Sequence, residues 1–150
     1  MSVVFKITDA ASLALHTMAY LAGNPKERVT ANQIASILHA SEAHLAKVLQ
    51  QLVKAGLIES TRGPGGGFVL SETRRQATLR EVYEAIEGPL ETKPCLLGSH
   101  PRCLNRQCIM GDLLRSINKQ IENYFSATRV SSLGATFRRK DEKRQKNYKH

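Results

Sequence analysis

The sequence contains few aromatic residues, no tryptophan and no long apolar run. Only 5% of the 150 residues are aromatic, and no stretch approaches the roughly 18 consecutive apolar residues of a membrane-spanning helix. The most apolar early stretch, residues 10–22, is interrupted by Ser12, His16 and Thr17 and has no basic leader before it. We therefore expect neither membrane insertion nor secretion.

Cysteine is also scarce, and the cysteines that are present lie in one short segment. Cys95, Cys103 and Cys108 are an odd number, which does not suit the paired disulfide bonds of a small secreted fold. A reducing compartment fits this usage better. We therefore expect a cytoplasmic protein.

Acidic residues are outnumbered, 13 against 22 lysines and arginines, which gives a formal net charge of +9. Much of the excess lies in residues 138–150, with seven basic and two acidic side chains. We predict that residues 134–150 form a basic, disordered tail and that the partner is anionic. A chain of 150 residues has room for one compact domain with an appendage, but not for a large enzyme with a separate substrate domain.

Hydrophobic periodicity predicts three helices followed by a β-hairpin. The first helix covers residues 9–22, a capping box at Thr30 and Gln33 opens the second, and Ser41 caps the third. Two strand-like runs, at residues 57–62 and 68–70, then flank a loop of glycine and proline at residues 63–67. Three helices and a glycine-tipped hairpin are typical of a winged helix-turn-helix. The fold is therefore predicted to be mainly α with a small β-hairpin wing.

The second half of the chain predicts a capped helix from Thr78 to Gly88, a cysteine loop at residues 92–108, and a long amphipathic helix. Apolar positions three and four apart mark the long helix, at Met110, Leu113, Leu114, Ile117, Ile121, Tyr124 and Phe125. No segment of similar size remains to cover this stripe, so we predict a homodimer. The predicted domains are a DNA-binding domain at 1–90, a cysteine-rich sensor loop at 91–108, a dimerisation helix at 109–133, and the tail.

Two features of the predicted winged helix favour double-stranded DNA as the partner. The face of the third helix opposite its apolar side carries polar groups able to bond base edges or phosphates, although a solvated surface would look the same. The hairpin tip lacks the Lys-Ser or Lys-Thr ending of a nucleotide-binding loop, and an arginine at its base suits a narrow minor groove. The predicted DNA-contacting residues of helix and wing are Ser41, His44, Lys47, Gln51, Arg62, Gly65 and Gly66.

The run LVKAGLIESTRGPGGGFVLS, the later TLREVYEAIEG, the clustered cysteines and the long following helix resemble the IscR/NsrR-type winged-helix regulators of the Rrf-two family. The similarity covers residues 5–130. It implies that Arg62 reaches the minor groove, that His44 and Lys47 face the major groove, and that Thr8 lies in a phosphate-contacting stretch. Ala46-Lys47 stands where the cluster-assembly regulators have Glu-Gln, so the operator sequence cannot be transferred.

Three cysteines separated by seven and four residues can converge on one metal centre, because thiolates are soft ligands and a loop imposes no helical spacing. Zinc, metal-free thiol sensing aided by Arg102 and Arg106, and inert cysteines remain alternatives, although the Cys-x-x-Cys pairs of structural zinc sites are missing. The resemblance implies an iron–sulfur cluster of two or four irons on Cys95, Cys103 and Cys108. The relatives' fourth-ligand positions correspond here to Gly111 and Ser12. The candidate fourth ligands are then His100, Asp9 or Ser12 of the partner subunit, and an external thiol or water.

The leading hypothesis is a homodimeric, non-enzymatic transcription repressor. Its affinity for a palindromic operator would respond to a cluster that senses redox state, nitric oxide or iron. One alternative is a zinc-bound or metal-free winged-helix regulator that senses a metabolite or thiol oxidation. A thiol oxidoreductase is the other, but the sequence offers no acid–base constellation around the cysteines, since His16, His39 and His44 belong to predicted helices of the DNA module.

Overall fold

The computed structural model of the chain describes residues 5–93, 95–97 and 108–137. Its elements follow in the order α1 (Asp9–Gly23), α2 (Ala31–Leu38), α3 (Glu42–Lys54), β1 (Ile58–Thr61), β2 (Gly67–Leu70), α4 (Leu79–Glu87), α5 (Leu113–Ala127) and α6 (Val130–Leu133), with short 3-10 turns at Glu72–Arg74 and Gly134–Phe137. Among the described helices, none has the length and apolar character needed to cross a bilayer. The predictions for His100, Arg102, Cys103, Arg106 and residues 138–150 fall outside the described residues.

Each of the first three helices begins where a side-chain hydroxyl satisfies an amide of the first turn. The hydroxyls of Thr8, Thr30 and Ser41 accept from backbone amides three residues onward. Thr30 and Gln33 form the predicted capping box, with both reciprocal bonds present. The turn between α2 and α3 is tight because His39 adopts a left-handed conformation, with φ of 51°.

The wing is an antiparallel hairpin in which Ile58 pairs with Leu70 and Thr61 with Gly67. A third backbone segment joins it: the Val29 amide donates to the Phe68 carbonyl at 3.0 Å, and the Phe68 amide donates to the Val29 carbonyl at 2.8 Å. Gly67 makes this approach possible, since a Cβ there would lie 2.9 Å from the Val29 backbone. The wing is therefore anchored to the segment that precedes α2.

One main core joins the helices to the base of the wing. α1 contributes Met18 and Leu21, α3 contributes Leu45, Leu49 and Leu52, and all five are buried. The buried face of α3 is the face that periodicity predicted. The wider cluster also contains residues from the wing, α4 and α6: Ile58, Leu70, Val82 and Val130.

The prediction of one continuous helix over residues 109–133 is wrong. Residues 109–112 form turns, and α5 ends at Ala127 because Thr128 adopts an extended conformation. At this break the chain docks onto the start of α4: the Leu79 amide donates to the Thr128 carbonyl at 3.0 Å, and the Val130 amide to the Ala77 carbonyl at 2.9 Å. Hydrogen bonds to a distant segment thus override the helical periodicity.

The predicted start of the tail at residue 134 is also wrong, because residues 134–137 pack on α1 in a short 3-10 turn. Gly134 is buried against the C-terminal end of α1, where a Cβ would lie 2.8 Å from backbone atoms of Ala22 and Gly23. The Asn24 side-chain amide donates to the Phe137 carbonyl at 3.1 Å. The boundary predicted at residue 90 accordingly does not separate two cores, since Val130 lies in the main one.

We expect Gly134→Ala to destabilise the protein by about 1–3 kcal/mol, because the added methyl group meets backbone rather than a movable side chain. Equilibrium urea denaturation measures the effect as a lower transition midpoint. Ala135→Ser, at the exposed neighbouring position, serves as the control and should stay within about 0.5 kcal/mol of the parent. A midpoint for Gly134→Ala equal to that of the control would contradict the close approach of the two segments.

Candidate nucleic-acid interface and cysteine segment

The exposed face of α3 carries the predicted DNA-contacting residues together. Ser41, His44, Lys47 and Gln51 are all exposed, while Leu45 and Leu49 anchor the opposite face. An open concavity of about 490 Å³ runs along this face, and its lining consists of Ala10, His44, Lys47, Val48, Gln50, Gln51 and Lys54. The lining holds two lysines and no carboxylate, so it suits an anionic ligand.

The acidic residue at the start of α3 is engaged within the chain. The Asn32 side-chain amide donates to a Glu42 carboxylate oxygen at 3.0 Å, which ties α2 to α3. The Ser41 hydroxyl accepts from the His44 amide at 3.4 Å and is thereby also used as a cap. The free donors and acceptors of this face are consequently those of His44, Lys47 and Gln51.

The wing tip presents Arg62 and Gly65 to solvent and holds Gly66 half-buried. The Gly66 amide donates to the Gly63 carbonyl at 2.9 Å, which closes a tight turn. A Cβ at Gly66 would lie 2.4 Å from the Thr61 carbonyl oxygen, and Gly65 has a φ of +72°. A side chain is therefore excluded at Gly66 by close backbone atoms and disfavoured at Gly65 by the positive φ, so the tip carries only the compact ring of Pro64.

Arg28 is a basic residue of this region that the sequence prediction missed. Its guanidinium donates to the Thr61 hydroxyl at the end of β1, and its side chain is exposed. Arg28 belongs to no motif, and its position beside the wing follows from the backbone pairing of Val29 with Phe68. No local pattern in the sequence signals that pairing.

Thr8 is placed differently from the role that the resemblance implies. Its hydroxyl accepts from the Ala11 amide at 3.1 Å and donates to the Glu87 carboxylate of α4. Both functions of the hydroxyl are thus used within the chain. Nearby on α1, Asp9 is exposed and the Ser12 hydroxyl lies 3.4 Å from Nδ1 of His16.

The described part of the cysteine segment is fixed along α5. The Asn118 side-chain amide donates to the Lys93 carbonyl at 3.0 Å, and the Thr92 hydroxyl donates to Glu122. Cys95 is buried, Cys108 is half-buried, and neither is in a disulfide bond. Among the described residues, which exclude Cys103, no group of three candidate ligands converges on a metal position.

The side chain of Asn118, which bonds Lys93, also contains a buried acceptor. Asn118 is 7% exposed, and its Oδ1 has no hydrogen-bond partner in the part of the chain that the structure describes. A buried carbonyl oxygen left without a donor destabilises the fold by about 1–3 kcal/mol. The contact of Asn118 with Lys93 therefore satisfies the amide nitrogen of the side chain but, among the described residues, not its oxygen.

Helix α5 is joined to α4 by an aromatic cluster, defined as Phe5, Tyr83 and Phe125. The Phe125 ring lies 5.4 Å from that of Phe5 and 5.9 Å from that of Tyr83, both edge-on. Leu79, Leu90 and Ile121 surround these rings. Changes in the packing of α5 therefore reach α4 directly.

Two carboxylates of α4, those of Glu81 and Glu84, are held in their charged form by local hydrogen bonds. The Thr78 backbone amide donates to Glu81 at 2.7 Å and lowers the pKa of that carboxyl, and Arg74 adds to the effect. The Leu90 amide similarly lowers the pKa of Glu84. Burial raises the pKa of Tyr83, whose hydroxyl donates to the Lys6 carbonyl. Both ends of α4 are thereby fixed at neutral pH.

The apolar stripe of α5 divides into two edges, which corrects the expectation that all of it lacks cover within the chain. Leu114 and Phe125 are buried against the same chain. Leu113 and Tyr124 are 49% and 58% exposed, and a turn of about 100° per residue places them on one side of the helix, with Ile117 between them. This side is defined as the exposed α5 face, and among the described residues no segment buries its Leu113 and Tyr124.

The family model Rrf2, described as an iron-dependent transcriptional regulator, matches residues 7–136. A protein of Aquifex aeolicus assigned by name to the HTH-type transcriptional regulators is 30% identical over 129 residues, covering 84% of this chain and 89% of that protein. The HTH-type transcriptional regulator NsrR of Shouchella clausii is 30% identical over 125 residues, covering 79% of this chain and 84% of that regulator.

A solved structure is similar over nearly the same range. CymR (YrzC), the global cysteine regulator of B. subtilis, aligns with a TM-score of 0.71 at 26% identity, covering 88% of this chain and 98% of the CymR chain. The family match includes every element from α1 to α6. Both the α3–wing region and α5 therefore have counterparts in known regulators.

Proposed function

This chain belongs to the Rrf2 family of transcriptional regulators, and from that premise we propose that it represses transcription by binding a palindromic operator as a homodimer. Membership confirms two predictions from the sequence, the winged-helix fold and a regulator that is not an enzyme. The observation that carries the DNA-binding proposal is the exposed face of α3, which presents His44, Lys47 and Gln51 beside a thin wing bearing Arg62.

In the proposed complex, α3 enters the major groove. Gln51 and His44 have donors and acceptors suited to base edges, whereas Lys47 suits a phosphate or a guanine edge. Arg62 enters the minor groove, where a planar guanidinium fits the concentrated negative potential. Gly65 and Gly66 support this role because a turn without side chains at these two positions can approach the sugar–phosphate backbone closely.

The exposed α5 face supports the proposed dimer. Leu113, Ile117 and Tyr124 form an apolar strip that a monomer would leave in water, and a two-fold axis would pair the strip with itself. Two recognition helices related by such an axis bind half-sites about one helical turn of DNA apart. A palindromic operator follows from this symmetry.

We further propose that Cys95, Cys103 and Cys108 hold an iron–sulfur cluster. The donor set fits, since thiolates are the usual ligands of such clusters, and the family description is that of an iron-dependent regulator. When bound, the cluster would supply a centre whose charge and ligation change with oxidants, nitric oxide or iron supply. Asp9, exposed in the first turn of α1, offers a carboxylate as the fourth ligand from a partner subunit.

The chain's own contacts provide a route from the cysteine segment to the DNA-binding face. Asn118 ties the start of the segment to α5, Phe125 packs α5 on Tyr83 of α4, and Val82 of α4 lies in the same core as Leu49 of α3. A change at the segment can therefore alter the orientation of α3 through packed side chains.

The similarity to CymR favours a second candidate. That protein is the global cysteine regulator of its organism, so this chain could equally respond to a metabolite or to thiol oxidation without a cluster, or carry zinc. The DNA-binding part of the proposal is the same in both cases. Metal content distinguishes the two.

We expect Arg62→Ala to weaken operator binding by about 1–3 kcal/mol through loss of a minor-groove contact. Fluorescence anisotropy at fixed salt, with a palindromic duplex selected on the parent protein, measures the loss. Arg115→Ala removes a guanidinium from exposed α5 and is the matched control, which should bind as the parent does. Equal affinity of Arg62→Ala and the parent would show that the wing does not contact the operator.

We expect Tyr124→Glu to convert the dimer into a monomer, because it places an unpaired charge within an apolar interface. Multi-angle light scattering should give half of the parent's mass. Ser126→Glu adds the same charge on the opposite, exposed side of α5 and should remain a dimer. If Tyr124→Glu keeps the parent's mass, the interface lies elsewhere.

Protein purified without oxygen is expected to absorb visible light and to contain iron and sulfide. Cys95→Ser, Cys103→Ser and Cys108→Ser should each lose this absorption, because the loop has no spare thiolate. Met110→Leu removes a neighbouring sulfur atom that is not a thiol and should keep it. Colourless protein that contains zinc, or no metal, would refute the cluster and leave the second candidate.

A further inference from the structure

Arg28 lies beside the wing and is not among the DNA-contacting residues proposed above. Its backbone is fixed, because the next residue, Val29, exchanges two hydrogen bonds with Phe68 of the wing, at 3.0 Å and 2.8 Å. Its side chain is fixed at the other end, where the guanidinium donates to the Thr61 hydroxyl. An exposed arginine held at both ends loses little conformational entropy when it binds a ligand.

Within the described residues, the charge of Arg28 has no counter-ion. The ion pairs among the described residues involve Arg74, Arg75, Arg80 and Arg115, and none of them involves Arg28. One of its five N–H donors is used by Thr61. The remaining donors form a planar group directed to solvent, which matches the oxygens of a phosphate.

Arg28 and Arg62 both lie at the end of the hairpin that leads to its tip. β1 ends at Thr61, which bonds Arg28, and Arg62 is the residue that follows. Two guanidiniums are thus present just before the Gly63–Gly66 turn. The minor groove is about 6 Å wide and is bounded by one phosphate chain on each side.

We infer that Arg28 is a second DNA-contacting residue, which binds a backbone phosphate beside the minor groove that Arg62 enters and is held for this contact by Thr61. The inference rests on the proposed DNA-binding function. Phosphate contacts fix the position of a protein on DNA but carry no sequence information. Arg28 would therefore add affinity and orient the wing, whereas Arg62 would add preference for the operator.

The test compares affinity for the operator duplex and for an unrelated duplex over a series of salt concentrations. A dimer of Arg28→Gln lacks two phosphate contacts, so the slope of log affinity against log salt should become shallower by nearly 2 units on both duplexes. Between 50 and 200 mM salt, the ratio of parent to variant affinity should shrink about tenfold. Arg115→Gln, the matched loss of a guanidinium on α5, should keep the parent's slope.

Two further variants separate charge from positioning. Arg28→Lys retains a cation and should keep the parent's slope on both duplexes. Thr61→Val removes the hydroxyl but not the charge, so it should bind both duplexes several-fold more weakly with an unchanged slope. If Thr61→Val binds as tightly as the parent, Thr61 does not hold Arg28 for DNA.

The outcomes also distinguish this inference from the function on which it rests. If the parent protein binds neither duplex, the proposed function itself is refuted. If the parent binds and Arg28→Gln keeps the parent's slope, Arg28 contacts no phosphate and the inference alone is overturned. A loss confined to the operator duplex, with the slope unchanged, would likewise overturn it, because Arg28 would then only shape the wing.

Discussion

The burial of one face of α3 against α1 is the interaction on which the rest of the structure depends. Leu45, Leu49 and Leu52 have no exposed surface, and each such side chain contributes roughly 1.5–3 kcal/mol when it is removed from water. Because a helix turns by about 100° per residue, fixing this face also fixes the direction of His44, Lys47 and Gln51. The same burial positions β1, which follows α3 almost immediately, and so sets where the wing projects. The core thus fixes both the direction of the exposed polar face of α3 and the position of the wing.

Features that depend on nearby residues were predictable, and features that depend on distant ones were not. The caps at Thr30, Ser41 and Thr78 follow from residues three apart, and the structure shows all three. The end of α5 at Ala127 depends instead on backbone bonds to the start of α4, about fifty positions earlier. No local pattern encodes that contact, so periodicity extended the helix too far.

The candidate site likewise contains features set by nearby residues and features set by distant ones. The polar face of α3 and the glycine tip could be recognised from spacing and composition, since both are local in the chain. Arg28 could not, because its nearness to Thr61 arises from a backbone pairing between segments far apart in sequence. The roles of Thr8 and Asn118 were also beyond the sequence, because a hydroxyl or carboxamide looks the same whether it faces solvent or a neighbouring helix.

The contact between Gly23 and Gly134 bears on how such regulators can be rearranged. It brings the C-terminal segment back to the first helix, and Val130, which is fully buried, completes the core beneath the DNA-binding face. A chimera that joins residues 1–90 to a foreign segment would lack that side chain and open a cavity in the core that also holds Leu45 and Leu49 of α3. The two parts of the chain are therefore not independent modules. Residues 1–90 depend on the returning C-terminal segment to complete their core.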